Sequence, residues 1–295
     1  EPHEYPELVA ALLDQISENK LNQGKPNEAR DLHKEASMLR SESYPDDIYL
    51  NARAMLRTGE LQEGRILLET AMQNGLNVLL DRPQRFHREM PLLLSLICLM
   101  LGDYQMGEFY ARQGIEIGKR LDSPFVEAVG LMRLGHAYQL YPHVPWRKQR
   151  LAQAEIYYKK AIELVRPFNV MRVQVEPLWG LCRFHGYQGN LAEAKKYAQL
   201  ALEIAESSGD FWFVGLIHTT LGTSYALTKN STEAQANLQK AAEVLASVGD
   251  QFGSTAARCA LMLNCWLSGS KKDALEIYAT VAPILQKFDF GFFLT

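Results

Sequence analysis

Trp179, Arg183 and Tyr187 stand four residues apart, the spacing that places side chains on one face of a helix. An indole and a phenol flanking a guanidinium can stack on a sugar or planar ligand, or hold a carboxylate through forked hydrogen bonds. The same trio can instead pack one helix on the next, with the arginine covering the indole and pointing to water. Arg53 and Arg57, with Tyr49 one turn before them, form a second set. It suits an acidic partner unless Asp46 and Glu60 simply neutralise it. Covalent chemistry is not offered. The sequence contains no His-Glu-x-x-His, no Gly-x-Ser-x-Gly, no dinucleotide Gly-x-Gly-x-x-Gly and no Gly-x4-Gly-Lys-Ser/Thr phosphate loop, so the chain reads as a binding protein and not an enzyme. Cys98, Cys182, Cys259 and Cys265 fall inside apolar helical patterns without Cys-x-x-Cys spacing, which implies buried thiols, no metal site and no cofactor.

The elements that must position these residues are repeated. Small residues at Ala29, Gly64, Gly107, Ala154, Ala194, Ala234 and Ala274 are spaced by 35, 43, 47, 40, 40 and 40. Seven positions after each comes Ala36, Ala71, Gly114, Ala161, Ala201, Ala241 or Val281, with a larger residue such as Leu68, Tyr158, Leu238 or Tyr278 between. Two small residues seven apart share a helix face and let a neighbouring helix approach closely. Turn sequences precede most of them: Gly24-Lys25-Pro26, Gly59-Glu60-Leu61, Gly102-Asp103-Tyr104, Gly189-Asn190-Leu191 and Gly269-Ser270-Lys271. The pattern predicts an all-α, right-handed superhelical solenoid of about seven antiparallel helix pairs with a period near 40. The units fall near 6–40, 45–77, 85–121, 123–167, 172–208, 212–248 and 252–288, with 289–295 opening a linker or a next domain.

These residues resemble the tetratricopeptide repeat, whose first helix carries Leu-Gly-x-x-Tyr, seen as Leu134-Gly135-His136-Ala137-Tyr138 and Leu221-Gly222-Thr223-Ser224-Tyr225. The period near 40, where 34 is usual, is similar to the variant in large bacterial ATP-dependent transcription activators of the MalT type. Arg85 to Glu89 and Leu121 to His136 carry that finer resemblance. It implies an ATPase module and a DNA-binding module elsewhere in a longer polypeptide. The fold resemblance further implies that the first helix of each pair lines a concave groove. Its groove positions are Asp46, Tyr49, Arg53 and Arg57, then Glu89, then His136 and Gln139, then Glu176, Trp179, Arg183 and Tyr187, then Thr219 and Thr223. His136 is read either as a groove residue or as a satisfied structural histidine. The insertion Tyr141 to Arg147 holds two prolines, and Trp146 in it serves as a lid over the groove or as a plain surface anchor.

Composition narrows the partners. Lys and Arg total 31 against 34 Asp and Glu, a net charge of −3, which gives no general attraction to phosphate and disfavours direct nucleic-acid binding. The apolar run Pro91 to Leu101 is too short to cross a membrane. A cytoplasmic setting fits the few cysteines. The expected role is an effector-sensing and protein-interaction segment of a bacterial transcription regulator, taking a peptide, protein or small-molecule effector in the groove. The alternative is a general interaction scaffold for a peptide or helix. Self-association through the terminal repeats is a further expectation, because Phe288, Phe290, Phe292 and Phe293 form an aromatic cluster at one end.

Overall fold

A computed structural model describes residues 5–23, 25–40, 45–73, 85–140, 147–168 and 171–285, and among these no strand occurs. Helices run as α1 (Pro6–Asn22), α2 (Pro26–Leu39), α3 (Pro45–Thr58), α4 (Leu61–Ala71), α5 (Arg85–Met100), α6 (Tyr104–Arg120) and α7 (Pro124–Leu140). They continue as α8 (Arg147–Val165), α9 (Val175–Tyr187), α10 (Leu191–Ser207), α11 (Phe211–Leu227), α12 (Ser231–Ser247), α13 (Gln251–Leu267) and α14 (Lys271–Leu285). Two 3-10 turns, Arg166–Phe168 and Met171–Gln174, lie between α8 and α9. Seven consecutive pairs result. Trp146 and the terminal phenylalanines lie outside the described residues, as does the side chain of Asp46.

The small residues do the work their spacing implies. Ala29, Ala154, Ala194, Ala234 and Ala274 are all buried, as are their partners Ala36, Ala161, Ala201, Ala241 and Val281. Leu68, Tyr158 and Leu238 between them are fully buried, whereas Tyr278 on α14 is half-exposed because no described helix follows it. Gly135 of α7 and Gly180 of α9 grip the Tyr158 ring from two sides. A Cβ on Gly135 would lie 2.7 Å from Tyr158 Cε1, and one on Gly180 would lie 2.5 Å from the same atom. Buried serines tie helices of a pair together: Ser17 Oγ donates to the Ala29 carbonyl at 2.8 Å and Ser95 Oγ to the Gly107 carbonyl at 2.7 Å.

Helix ends follow from local chemistry. Gly209 and Gly249 take φ of 69° and 77°, the left-handed backbone that closes a helix at no steric cost to glycine. Asp210 and Asp250 then cap α11 and α13 through the backbone N–H of Phe213 and Gly253. Lys229 and Asp122 adopt the same left-handed region without glycine.

The first helices of successive pairs pack side by side, α3 on α5, α5 on α7, α7 on α9 and α9 on α11, while the second helices make no comparable contacts with one another. The first helices therefore form the inner wall. The array winds far enough to meet itself: the Arg57 guanidinium of α3 sits 3.9 Å over the Trp212 ring of α11. Phe252 of α13 also joins the apolar core built by α3 to α6. The groove is thus narrowed where α3 meets α11 and stays open to solvent on one side.

Candidate functional site

The interior has two adjoining cavities. The larger, about 390 Å³, takes Tyr49, Arg53 and Arg57 from α3, Glu89 and Leu92 from α5, Met132 and Arg133 from α7, Glu176 from α9, and Trp212 and Phe213 from α11. The smaller, about 160 Å³, is lined by Leu96, Leu99 and Met100 of α5, by Leu140, by Trp179 and Arg183, by Leu216, and by Asp250 and Phe252. Leu96, Glu176, Trp212 and Phe213 belong to both. One apolar shell thus carries a few aimed charges, the usual composition of a ligand pocket.

In the larger cavity the charges are set in pairs. Tyr49 donates its hydroxyl to Glu89, Arg53 Nη1 donates to Glu18 at 2.7 Å, and Arg133 pairs with Glu176 while its Nε reaches the Leu92 carbonyl at 3.2 Å. Arg57 lies 4.0 Å from Asp210 beneath Trp212. The expected neutralisation of the Arg53–Arg57 set by Glu60 does not occur. Glu60, the residue that opens α4, turns instead to Arg30 and to the Thr58 hydroxyl at 2.7 and 2.6 Å.

Around the smaller cavity a buried polar network joins α7, α8 and α9. Arg183 Nη2 donates to His136 Nδ1 at 3.0 Å and also to Gln139 Oε1 at 3.1 Å. The Tyr158 hydroxyl lies 2.7 Å from His136 Nδ1 and 2.8 Å from Gln139 Oε1, with one proton to give to either. Since Arg183 can only donate, Nδ1 accepts and Nε2 carries the proton, which it donates to Glu176 Oε1 at 3.1 Å. Burial, then the charges of Arg183 and Arg133, hold the His136 pKa well below its ordinary 6.5, so the ring is neutral. Arg183 stacks 4.6 Å over Trp179, whose indole N–H donates to Thr220 Oγ1 at 2.7 Å. Asp250 receives the Trp212 indole N–H at 2.7 Å. Burial pushes its carboxyl up to about 6, against the opposing pull of the Gly253 N–H, Trp212 and Arg57.

The predicted groove residues separate accordingly. Tyr49, Arg53, Arg57, Glu89 and Glu176 meet in the larger cavity; His136, Glu176, Trp179, Arg183 and Thr219 meet in the smaller. Gln139 is buried in the network behind the wall. Tyr187 lines neither cavity; its ring is half-exposed while its hydroxyl is buried against Thr223, the next unit's groove position. Sequence reasoning missed Arg133, Asp210, Trp212 and Asp250. The available signal was α11, whose Phe211-Trp212-Phe213-Val214-Gly215-Leu216-Ile217 is apolar around its circumference, as a helix covered on both sides must be.

No protein-family model matches the chain, and no curated protein matches it. Solved structures do. A Rap protein complexed with competence and sporulation factor superposes with a TM-score of 0.68 at 12% identity, over 97% of this chain and 79% of that one. The fold is that of a tetratricopeptide-repeat solenoid. A signal transduction ATPase with numerous domains and a tetratricopeptide repeat sensor, from Pyrococcus horikoshii, gives 0.55 at 16% identity over 95% of this chain. This chain spans 42% of that protein's length. Among the described residues of the solenoid, no helix is long and apolar enough to cross a membrane, and no cluster of His, Cys, Asp or Glu could hold a metal ion.

Proposed function

We propose that this solenoid is a non-catalytic sensing and interaction segment whose effector occupies the groove interior. The observation that carries the reading is the larger cavity, where the guanidiniums of Arg53, Arg57 and Arg133 and the carboxylates of Glu89 and Glu176 converge from four helix pairs inside an apolar shell. A ligand seated there touches several units at once. It therefore favours whichever superhelical shape brings those units to it, and the shape is read by a partner protein. A short peptide, or a small molecule bearing charge, matches a lining that holds both signs. The complex of a Rap protein with competence and sporulation factor, and the sensor role of the Pyrococcus horikoshii repeats, support ligand reception on this fold.

The finer reading places the segment in an ATP-dependent transcription activator of the MalT type; it rests on the similarity of Arg85 to Glu89 and Leu121 to His136. Isothermal titration of the chain against a panel of short peptides and charged metabolites tests the sensing role, with Arg133→Met as the control. Saturable binding that the control weakens by tenfold or more is the expected result. Silence across the panel, with a folded protein by circular dichroism, refutes it.

A further inference from the structure

The smaller cavity specifies what kind of molecule the interior takes, an inference that rests on the sensing role above. The two cavities share Leu96, Glu176, Trp212 and Phe213, yet their linings differ. The larger has three arginines and two glutamates at its surface. In the smaller, Leu96, Leu99, Met100, Leu140, Leu216 and Phe252 dominate, and its volume of about 160 Å³ is close to that of an engineered apolar cavity, about 150 Å³, that stays dry and accepts benzene. Its polar groups are committed elsewhere: Trp179 to Thr220, Arg183 to Gln139 and His136, and Asp250 to Trp212 and the Gly253 N–H. It therefore offers contact area to one ring-sized apolar group and no polar recognition of its own.

The charged end is set by the neighbouring wall. Glu89 and Glu176 already accept from Tyr49, Arg133 and His136. Arg133 is buried beside them, and its five N–H donors exceed what the Leu92 carbonyl and one Glu176 oxygen take up. We propose that the interior binds a carboxylate adjacent to one ring-sized apolar group, with the carboxylate on Arg133 in the larger cavity and the apolar group in the smaller one. A free aryl or alkyl carboxylic acid and the carboxyl-terminal residue of a short peptide both present that chemistry.

Titration calorimetry with 3-phenylpropionate, acetate, 2-phenylethylamine and the tetrapeptide Gly-Gly-Gly-Phe tests it on the whole chain. The ring, once buried, is expected to give 3-phenylpropionate at least tenfold tighter binding than acetate. The amine, with its charge reversed, binds at least tenfold more weakly than the acid. Ala256→Phe fills the smaller cavity from α13, where Ala256 lines it, and should abolish the advantage of phenylpropionate over acetate. Ala256→Leu serves if the larger change unfolds the protein. The peptide binding at least tenfold more tightly than 3-phenylpropionate assigns the peptide terminus as the source, and the reverse assigns the free acid. Equal affinity for acetate and phenylpropionate, or an advantage that both variants leave intact, overturns the inference. Binding of panel peptides that lack a ring-sized terminal residue, without binding of either carboxylate, overturns it also while leaving the sensing role standing.

Discussion

Replacing Arg57 by alanine should loosen the closure of the array. The guanidinium lies 3.9 Å over the Trp212 ring and 4.0 Å from Asp210, which is only 1% exposed. A desolvated contact between a cation and an indole is worth about 1–2 kcal/mol. Taking the cation from beside a buried carboxylate adds about 1–3 kcal/mol, so Arg57→Ala should lower the unfolding free energy by about 2–5 kcal/mol. Trp212→Leu removes the same ring contact together with the hydrogen bond to Asp250. Because both changes delete one shared interaction, the double variant should be less destabilised than the sum by about 1–2 kcal/mol. Urea unfolding followed by far-ultraviolet circular dichroism gives the four free energies, and small-angle X-ray scattering should show a larger radius of gyration in Arg57→Ala. A coupling below about 0.5 kcal/mol, with scattering unchanged, would refute the closure of the second unit on the sixth.

Four other outcomes are expected. Gly180→Ala should destabilise by up to about 2 kcal/mol in thermal melts: the added methyl lies 2.5 Å from a Tyr158 ring that the network holds in place, a clash of about 1–3 kcal/mol, from which the better helix propensity of alanine recovers about 1 kcal/mol. Leu238→Ala should cost about 2–5 kcal/mol, while Tyr278→Ala, at the same place in a half-exposed unit, should cost under about 1 kcal/mol. Asp250 has a folded-state pKa of about 6 against an ordinary 3.8, so its stabilising contribution is complete below pH 3.8 and disappears as pH rises through about 6. Asp250→Asn should remove that rise in stability on acidification from pH 7 to 5, measured by urea midpoints. His136 runs the other way, because its pKa is lowered from 6.5: its contribution is intact above pH 6.5 and is lost as pH falls, and a nitrogen-15 spectrum at pH 6 should still show the neutral Nε2–H form.

The repeat was legible because neighbour packing is written in residue size. Ala194, Ala234 and Ala274 sit where a second helix leaves no room for a larger side chain, and the same constraint placed Gly135 opposite Tyr158 and Gly222 opposite Leu238. The turns were legible for the same local reason, as at Gly59 and Gly189. The groove was only half legible. Tyr49, Arg53, Glu89, Trp179 and Arg183 could be placed on the inner wall by counting along a helix, but whether Arg57 meets Asp46, Glu60 or Asp210 depends on how far the array has turned after four further units. That turn accumulates from small inter-unit angles that no single residue encodes. For this reason Trp212 and Asp250 escaped notice.

The inner wall is stitched from one unit to the next. Tyr49 reaches Glu89, His136 reaches Glu176 and Trp179 reaches Thr220, in each case about one period along the chain. The donor and acceptor types change at every step, from phenol and carboxylate to imidazole and carboxylate to indole and hydroxyl. Excising or duplicating a whole unit would keep the helices in phase and still set mismatched partners against each other. The backbone of this array is therefore interchangeable by length, while its lining is not interchangeable at all, and its recognition properties change by point substitution rather than by gain or loss of units.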